Sequence, residues 1–269
     1  MTARPVRLSP TPYEKVWGAT ALEPWFADSD RKIGEFWFPA EDILVKFLFT
    51  SERLSVQVHP DDARAPAGCR GKTEMWHILR AAPGASIALG FREPVSRERA
   101  HATALSGEIL DLLAWLPVSP GETYFTPAGV VHAIGAGVAL CEIQQNSDVT
   151  YRLYDYGRPR ELHLEQGLAV AQLGPHVGLC RPVPADGVER LVSCPYFITD
   201  LLDLEAPREY QPEVNRYQML IAMEGAGRID GSPVRAGELY RVPPGAAPFP
   251  IEPDPRLRLL RTMPPGASG

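Results

Sequence analysis

The amino-acid sequence predicts a mainly β fold of two jelly-roll barrels, with a short helical insertion in the first. Three observations predict it. Apolar runs of strand length recur along the 269 residues, each bounded by Gly, Pro or Asp. Proline (28) and glycine (23) punctuate these runs instead of forming a block, as turns between many short strands require. The segment 121–129 (GETYFTPAG) returns as 237–245 (GELYRVPPG), with Gly, Glu, Tyr, Pro and Gly at matching places. A repeated strand–turn–strand unit of this kind is the grammar of a double-stranded jelly roll.

The strands expected, in order, are 33–38, 43–49, 54–58, 76–79, 87–91, 123–126, 138–143 and 150–154. The stretch 96–115 (SRERAHATALSGEILDLLAW) has apolar residues at helical spacing and opens on Ser96 with Glu98 and Arg99, so a helix broken near Gly107 is expected there. A second short helix is expected over 164–173, and the turn-rich segment 174–187 reads as a linker. The chain then divides into units 1–175 and 188–269. In the register of the repeat Pro248 stands where His132 stands in the first copy, and 188–269 holds no histidine. Only the first of two cupin-like barrels can therefore bind metal through imidazole. The second is expected to be structural and metal-free.

Composition narrows the partners. With 45% hydrophobic and 22% charged residues the chain has enough apolar material for real cores and lacks the signature of disorder. A net charge of −6 argues against nucleic acid or an acidic membrane surface, both of which need a basic face. An anionic substrate would have to meet a local basic cluster. No apolar run approaches the roughly 18 residues of a membrane span, and the start MTARPVRLSPTPYEKVWG lacks the apolar core of a signal peptide, so a cytoplasmic location is expected. Cys69, Cys141, Cys180 and Cys194 show no CxxC spacing and read as reduced and structural. Oligomeric state is not legible.

The sequence SVQVH (55–59) alternates, which puts Ser55, Gln57 and His59 on one face of a strand and two valines on the other. Pro60 ends that strand at once, placing His59 at a rim. Glu74 opens the next apolar run, and His132 follows the Pro127-Ala128-Gly129 turn. Imidazole and carboxylate suit zinc, and a catalytic site leaves a position open. Convergence of these residues at polar-in positions of one barrel is what favours metal over isolated, hydrogen-bonded histidines. His77 lies in an apolar strand and faces either side; His101 and His163 fall in a helix and a loop.

Five segments together resemble class I mannose-6-phosphate isomerases, especially the short bacterial form. They are YEKVWG (13–18), LSVQVHPDD (54–62), GKTEMW (71–76), FTPAGVVH (125–132) and EIQQNSDVTYRLYD (142–155), in the family's order and spacing. The resemblance implies a cupin fold and one zinc ion per chain on Gln57, His59, Glu74 and His132; for Gln57 the implication is the main support. It implies catalytic roles for Lys72 and Arg152, and places Ser55, Lys46 and Glu142 near the substrate. The sequence departs from the family at Thr73, where many members have Pro, at Ala19, where a second Gly is usual, and in lacking the long helical insertion of larger members.

The activity implied is interconversion of mannose 6-phosphate and fructose 6-phosphate, a small hexose 6-phosphate being the partner. Such a reaction moves a proton between adjacent carbons through an enediol or enediolate. Arg152 suits an enediolate oxygen or the phosphate, while Lys72 or Glu142 would move the proton, and the sequence leaves the choice open. The phosphate would fall to some of Lys46, Arg64, Arg70, Lys72, Arg152 and Arg158. Two other readings compete: a non-catalytic cupin that binds a sugar phosphate, and a different metal-cupin enzyme such as a dioxygenase.

Overall fold

The structure, a computed structural model, describes residues 3–185 and 187–266; the ends of the two expected units and Asp186 of the expected linker lie outside the described residues. The first elements are β1 (Val6–Leu8), β2 (Thr11–Ala19), β3 (Ile33–Pro39), β4 (Ile43–Phe49), β5 (Val56–Val58), β6 (Glu74–Ala81) and β7 (Ser86–Phe91). Next come α1 (Arg97–Ser106), α2 (Ile109–Leu112), β8 (Leu113–Pro117), β9 (Thr123–Thr126), β10 (His132–Ile134), β11 (Val138–Gln145), β12 (Tyr151–Tyr154) and α3 (Leu164–Val170). The remainder is all strand: β13 (Val183–Ala185), β14 (Val188–Ser193), β15 (Ile198–Leu204), β16 (Arg208–Tyr210), β17 (Gln218–Ile229), β18 (Ser232–Arg235), β19 (Leu239–Val242) and β20 (Phe249–Met263). The mainly β expectation holds.

Strand parity sets the layers. β4 is buried at every position, which requires cover on both faces. Its odd residues Val45, Phe47 and Phe49 join Phe36, Phe38, Cys141 and Ile143 in a core that also contains Leu201, Met219, Ile221 and Leu260 from the C-terminal half. On its other face Leu48 packs with Trp76, Ile78, Leu140, Ile87, Leu89 and Ile134. The six-stranded sheet β2-β3-β4-β11-β6-β9 is thus sandwiched between the five-stranded sheet β12-β5-β10-β7-β8 and the C-terminal sheet. Helices cover the outer face of the five-stranded sheet, where Val56 and Val58 meet Ala100, Ala104, Ile109 and Leu168. The two valines point outward, so Gln57 between them points inward.

The repeat is visible in the backbone. β9 and β19 occupy the same place in the two copies, and Gly121, Gly129, Gly237 and Gly245 all adopt positive φ (90°, 91°, 88° and 65°), a region that favours glycine. β19 pairs with β17 on one side and with β1 on the other, so residues 6–8 of the N-terminus complete the C-terminal sheet.

Three local expectations are corrected. The helix over 96–115 begins as read, with Ser96 Oγ accepting from Arg99 N, and it breaks at left-handed Gly107 as expected, but α2 beyond the break is a single turn. Residues 113–117 are strand β8, because Ala88 and Ile87 of β7 pair with Trp115 and Leu116. The segment read as a linker is fastened to the first half: Phe91 N donates to Gly174 O (3.0 Å), Phe125 N to Gly178 O (2.7 Å) and Cys180 N to Thr123 O (2.8 Å). Backbone pairing that turn-rich composition does not announce holds it there. The second helix ends at Val170, three residues before the expected 173.

On β6, Glu74, Trp76 and Ile78 face the first-half interior, whereas His77 faces the C-terminal half, with Nδ1 2.9 Å from Thr123 Oγ1. Burial, then the Arg258 charge, holds its pKa down to about 4. The unfolded chain, with an ordinary histidine pKa near 6.5, binds that proton more readily. Stability is therefore expected to fall as pH drops from about 6.5 towards 4, with roughly 2 kcal/mol of the loss present by pH 5. Urea unfolding at pH 7 and pH 5 should show that much less pH dependence in His77→Gln.

Candidate active site

β5, β10 and β12 lie side by side, and register fixes three inward side chains: His132 is opposite Gln57, and Gln57 is opposite Arg152. Across the interior β4, β11 and β6 present Lys46, Glu142 and Glu74, with Lys46 opposite Glu142. His59 follows β5 directly. His59, Glu74 and His132 converge, all buried, with candidate ligand atoms within 4.8 Å of one another. Glu74 Oε2 is 3.6 Å from His59 Nε2 and Oε1 is 3.5 Å from His132 Nε2. Ligands about 2.0–2.1 Å from a tetrahedral ion stand about 3.4 Å apart, so the spacing fits a metal ion.

The surroundings prepare these groups to be ligands. His59 Nδ1 lies 2.8 Å from Val149 O and His132 Nδ1 2.9 Å from Val130 O. A proton on each Nδ1 leaves each Nε2 with an inward lone pair. Burial, reinforced by Lys72 and His132, holds His59 well below the usual imidazole range, and burial holds His132 down to about 4. Both rings are neutral near pH 7, as metal binding needs. Glu74 is fully buried and neither carboxylate oxygen has a hydrogen bond, although Lys72 Nζ sits 3.2 Å from Oε2. Gln57 Nε2 lies 3.2 Å from His132 Nε2 and Oε1 accepts from Ser55 Oγ at 3.3 Å; turning the amide over would direct its oxygen to the cluster.

The loop carrying Lys72 and Glu74 is clamped. Asp62 Oδ1 accepts from Gly71 N (2.7 Å) and Gln145 Nε2 (3.0 Å), while Gln145 Oε1 accepts from Thr73 N (2.8 Å). A Cβ on Gly71 would lie 2.5 Å from the Asp62 backbone nitrogen, so only glycine permits this approach. Gln145→Ala should weaken metal binding by roughly 10- to 100-fold, the usual range for outer partners, as measured by chelator competition.

Beside the cluster is a cavity of about 310 Å³ into which Lys46, Ser55, Gln57, Lys72, Glu142 and Arg152 all project. Lys46 Nζ is 3.2 Å from Glu142 Oε1, and Trp76 Nε1 donates to Glu142 Oε2 at 3.0 Å. Burial lowers the Lys46 pKa against the pull of Glu142. For Glu142 burial works the other way, but Lys46 and Lys72 outweigh it and keep the carboxylate ionised. Burial likewise opposes the Lys72 charge, and the Glu74 and Glu142 charges overcome it.

Sequence reasoning missed several lining residues: Lys15, Trp17, Glu35, Trp37, Asp148, Thr150 and Arg160. Parity in β3 carried a signal, since Glu35 and Trp37 alternate with the core residues Phe36 and Phe38. Trp37 is opposite Lys46, whose ammonium lies 4.4 Å from its ring, and Trp37 Nε1 donates to Glu35. Three of the arginines considered for the phosphate are absent from the lining. Arg64 is paired with Asp61, Arg70 with Asp42, and Arg158 with Glu52 and Asp155. His101 and His163 stand outside the cluster, near Glu165 and Glu161.

No protein-family model matches the chain. It is 30% identical to mannose-6-phosphate isomerase ManA of Bacillus subtilis, over 94% of this chain and 97% of the relative. It is 34% identical to the mannose-6-phosphate isomerase of Streptococcus mutans, over 80% and 71%. The crystal structure of the mannose 6-phosphate isomerase from Bacillus subtilis superposes with a TM-score of 0.86 at 26% identity, covering 96% of this chain and 99% of that one. A putative mannosephosphate isomerase from Archaeoglobus fulgidus shares the fold, with a TM-score of 0.80 at 17% identity over 98% and 99%. Likeness over nearly the whole length, in sequence and in fold, makes this chain an isomerase with a site that could hold a metal ion. It belongs to the mannose-6-phosphate isomerase family.

Proposed function

We propose that the chain interconverts mannose 6-phosphate and fructose 6-phosphate through an enediol or enediolate, using one zinc ion held by Gln57, His59, Glu74 and His132. The observation that carries this reading is the junction of two features: a buried His-Glu-His cluster, and a cavity lined by Lys46, Lys72 and Arg152. Zinc, when bound, would polarise the substrate carbonyl and stabilise negative charge on the oxygens. Arg152, whose buried Nε lacks a partner, offers a fixed cation to an enediolate or phosphate oxygen. Glu142, ionised and held by Lys46 and Trp76, and Lys72, a buried ammonium, are the two groups that would move the proton. Ser55 and Lys46 would orient the sugar.

In this reading residues 1–175 carry the chemistry and 188–269 form a metal-free support. The core shared by the two halves favours it.

The test is a metal analysis joined to an isomerase assay. Protein with about one zinc per chain should convert mannose 6-phosphate to fructose 6-phosphate, lose activity to a chelator and regain it with zinc. Tight substrate binding without turnover at full zinc occupancy would favour the binding-protein reading. Iron-dependent oxygen uptake would favour a different metal cupin.

A further inference from the structure

We propose that the cleft between β6 and the β17–β20 pair, on the opposite side of β6 from the metal cluster, is a second binding site, for a small organic anion with an apolar body. The cleft measures about 470 Å³ and is lined by Trp25, His77, Leu79, Met223, Arg235 and Arg258 among others. That volume and the mixture of apolar wall with few polar groups are those of a small-molecule site.

His77 is the polar centre of the cleft. It is only 3% exposed, and its Nδ1 is taken by Thr123 Oγ1, which leaves Nε2 as the ring nitrogen that can meet a ligand in the cleft. Arg258 stands near enough to disfavour the imidazolium form. Its guanidinium is loosely engaged: Nη1 is 3.3 Å from Glu224 Oε2, and Nε lies 3.4 Å from Asp203 Oδ2 without hydrogen-bond geometry. Two guanidiniums, Arg235 and Arg258, line the cleft with one carboxylate, Glu224, and Arg235 is also paired with Glu238 at 3.5 Å. An anionic head group placed between His77 and Arg258 would accept from His77 Nε2 and from Arg258 Nε, a buried guanidinium nitrogen with no hydrogen-bond partner. Trp25 and Met223, with Leu79 and Pro120, supply an apolar wall for the rest of the ligand. The functional site uses neither His77 nor Arg258, so the inference stands apart from the proposed reaction.

Benzoate and phenyl phosphate are suitable probes, one for each head group. The His77 imidazole proton resonance, assigned by its loss in His77→Gln, is expected to shift saturably with at least one probe, and the tighter probe identifies the head group. Arg258→Gln should weaken that binding about tenfold or more, which corresponds to roughly 1.4 kcal/mol. Arg258→Lys, which keeps the charge but loses the planar fork, replaces it if the glutamine variant fails to fold. The isomerase activity of His77→Gln without probe should stay at the wild-type level. An unmoved His77 resonance with both probes overturns the proposal, as does equal affinity in the folded Arg258 variant.

Discussion

On the proposed reading of the site, Glu74→Gln is expected to abolish metal binding and to lower kcat/KM by about three orders of magnitude. The substitution preserves shape, so the effect isolates charge. Glu74 is the only carboxylate in the three-residue cluster, and an amide in its place would leave a cation with two neutral imidazoles and no counter-charge. Lys72, now 3.2 Å from Glu74 Oε2, would lose its partner and repel the metal. Several kcal/mol of charge stabilisation depend on a Lewis acid of this kind, and about 1.4 kcal/mol is a factor of ten in rate. Elemental analysis and steady-state kinetics on the same preparation check both parts. Full metal content with unimpaired turnover would remove Glu74 from the ligand set.

Lys46→Met is expected to destabilise the fold by about 3 kcal/mol, beyond any effect on activity. Lys46 and Glu142 are both nearly inaccessible and their charged atoms are 3.2 Å apart. Deleting one member of a buried pair leaves the other without its counter-ion, at a typical cost of about 3–5 kcal/mol. The low end applies because Lys72 also acts on Glu142. Heating should show a Tm lower by roughly 6–12 °C, at about 2–4 °C per kcal/mol for a chain near this size. Lys46→Met combined with Glu142→Gln should recover much of that loss, since no unpaired charge then remains. A double variant as unstable as the single one would assign the effect to packing against Trp37.

The candidate metal cluster was largely legible in the sequence because its members obey local rules. Alternation in SVQVH put His59 and Gln57 on the face opposite two valines, and the structure places those valines against the helices. His77 obeys the same parity on β6, yet the sequence left its direction open, because both faces of that strand are apolar and buried. The helix expected to reach Trp115 failed for a related reason. Leu113 and Trp115 suit helical spacing and strand alternation alike, and only their pairing with β7 decides between them.

Alone, the sequence determined the β-rich fold, the repeat with its four turn glycines, and the side chains that could act as metal ligands. These depend on periodicity and on the chemistry of single residues, which are local properties. Tertiary structure decided that β1 joins the far sheet and that the two halves share a core. It also decided that Glu35, Trp37 and Arg160 line the cavity while Arg64, Arg70 and Arg158 are absent from its lining and held in ion pairs. Sequence shows the charges a chain carries, but which of them face a common cavity depends on long-range pairing. For Arg160 the difference is one of location, since it too is paired, with Asp155, while remaining in the wall of the site.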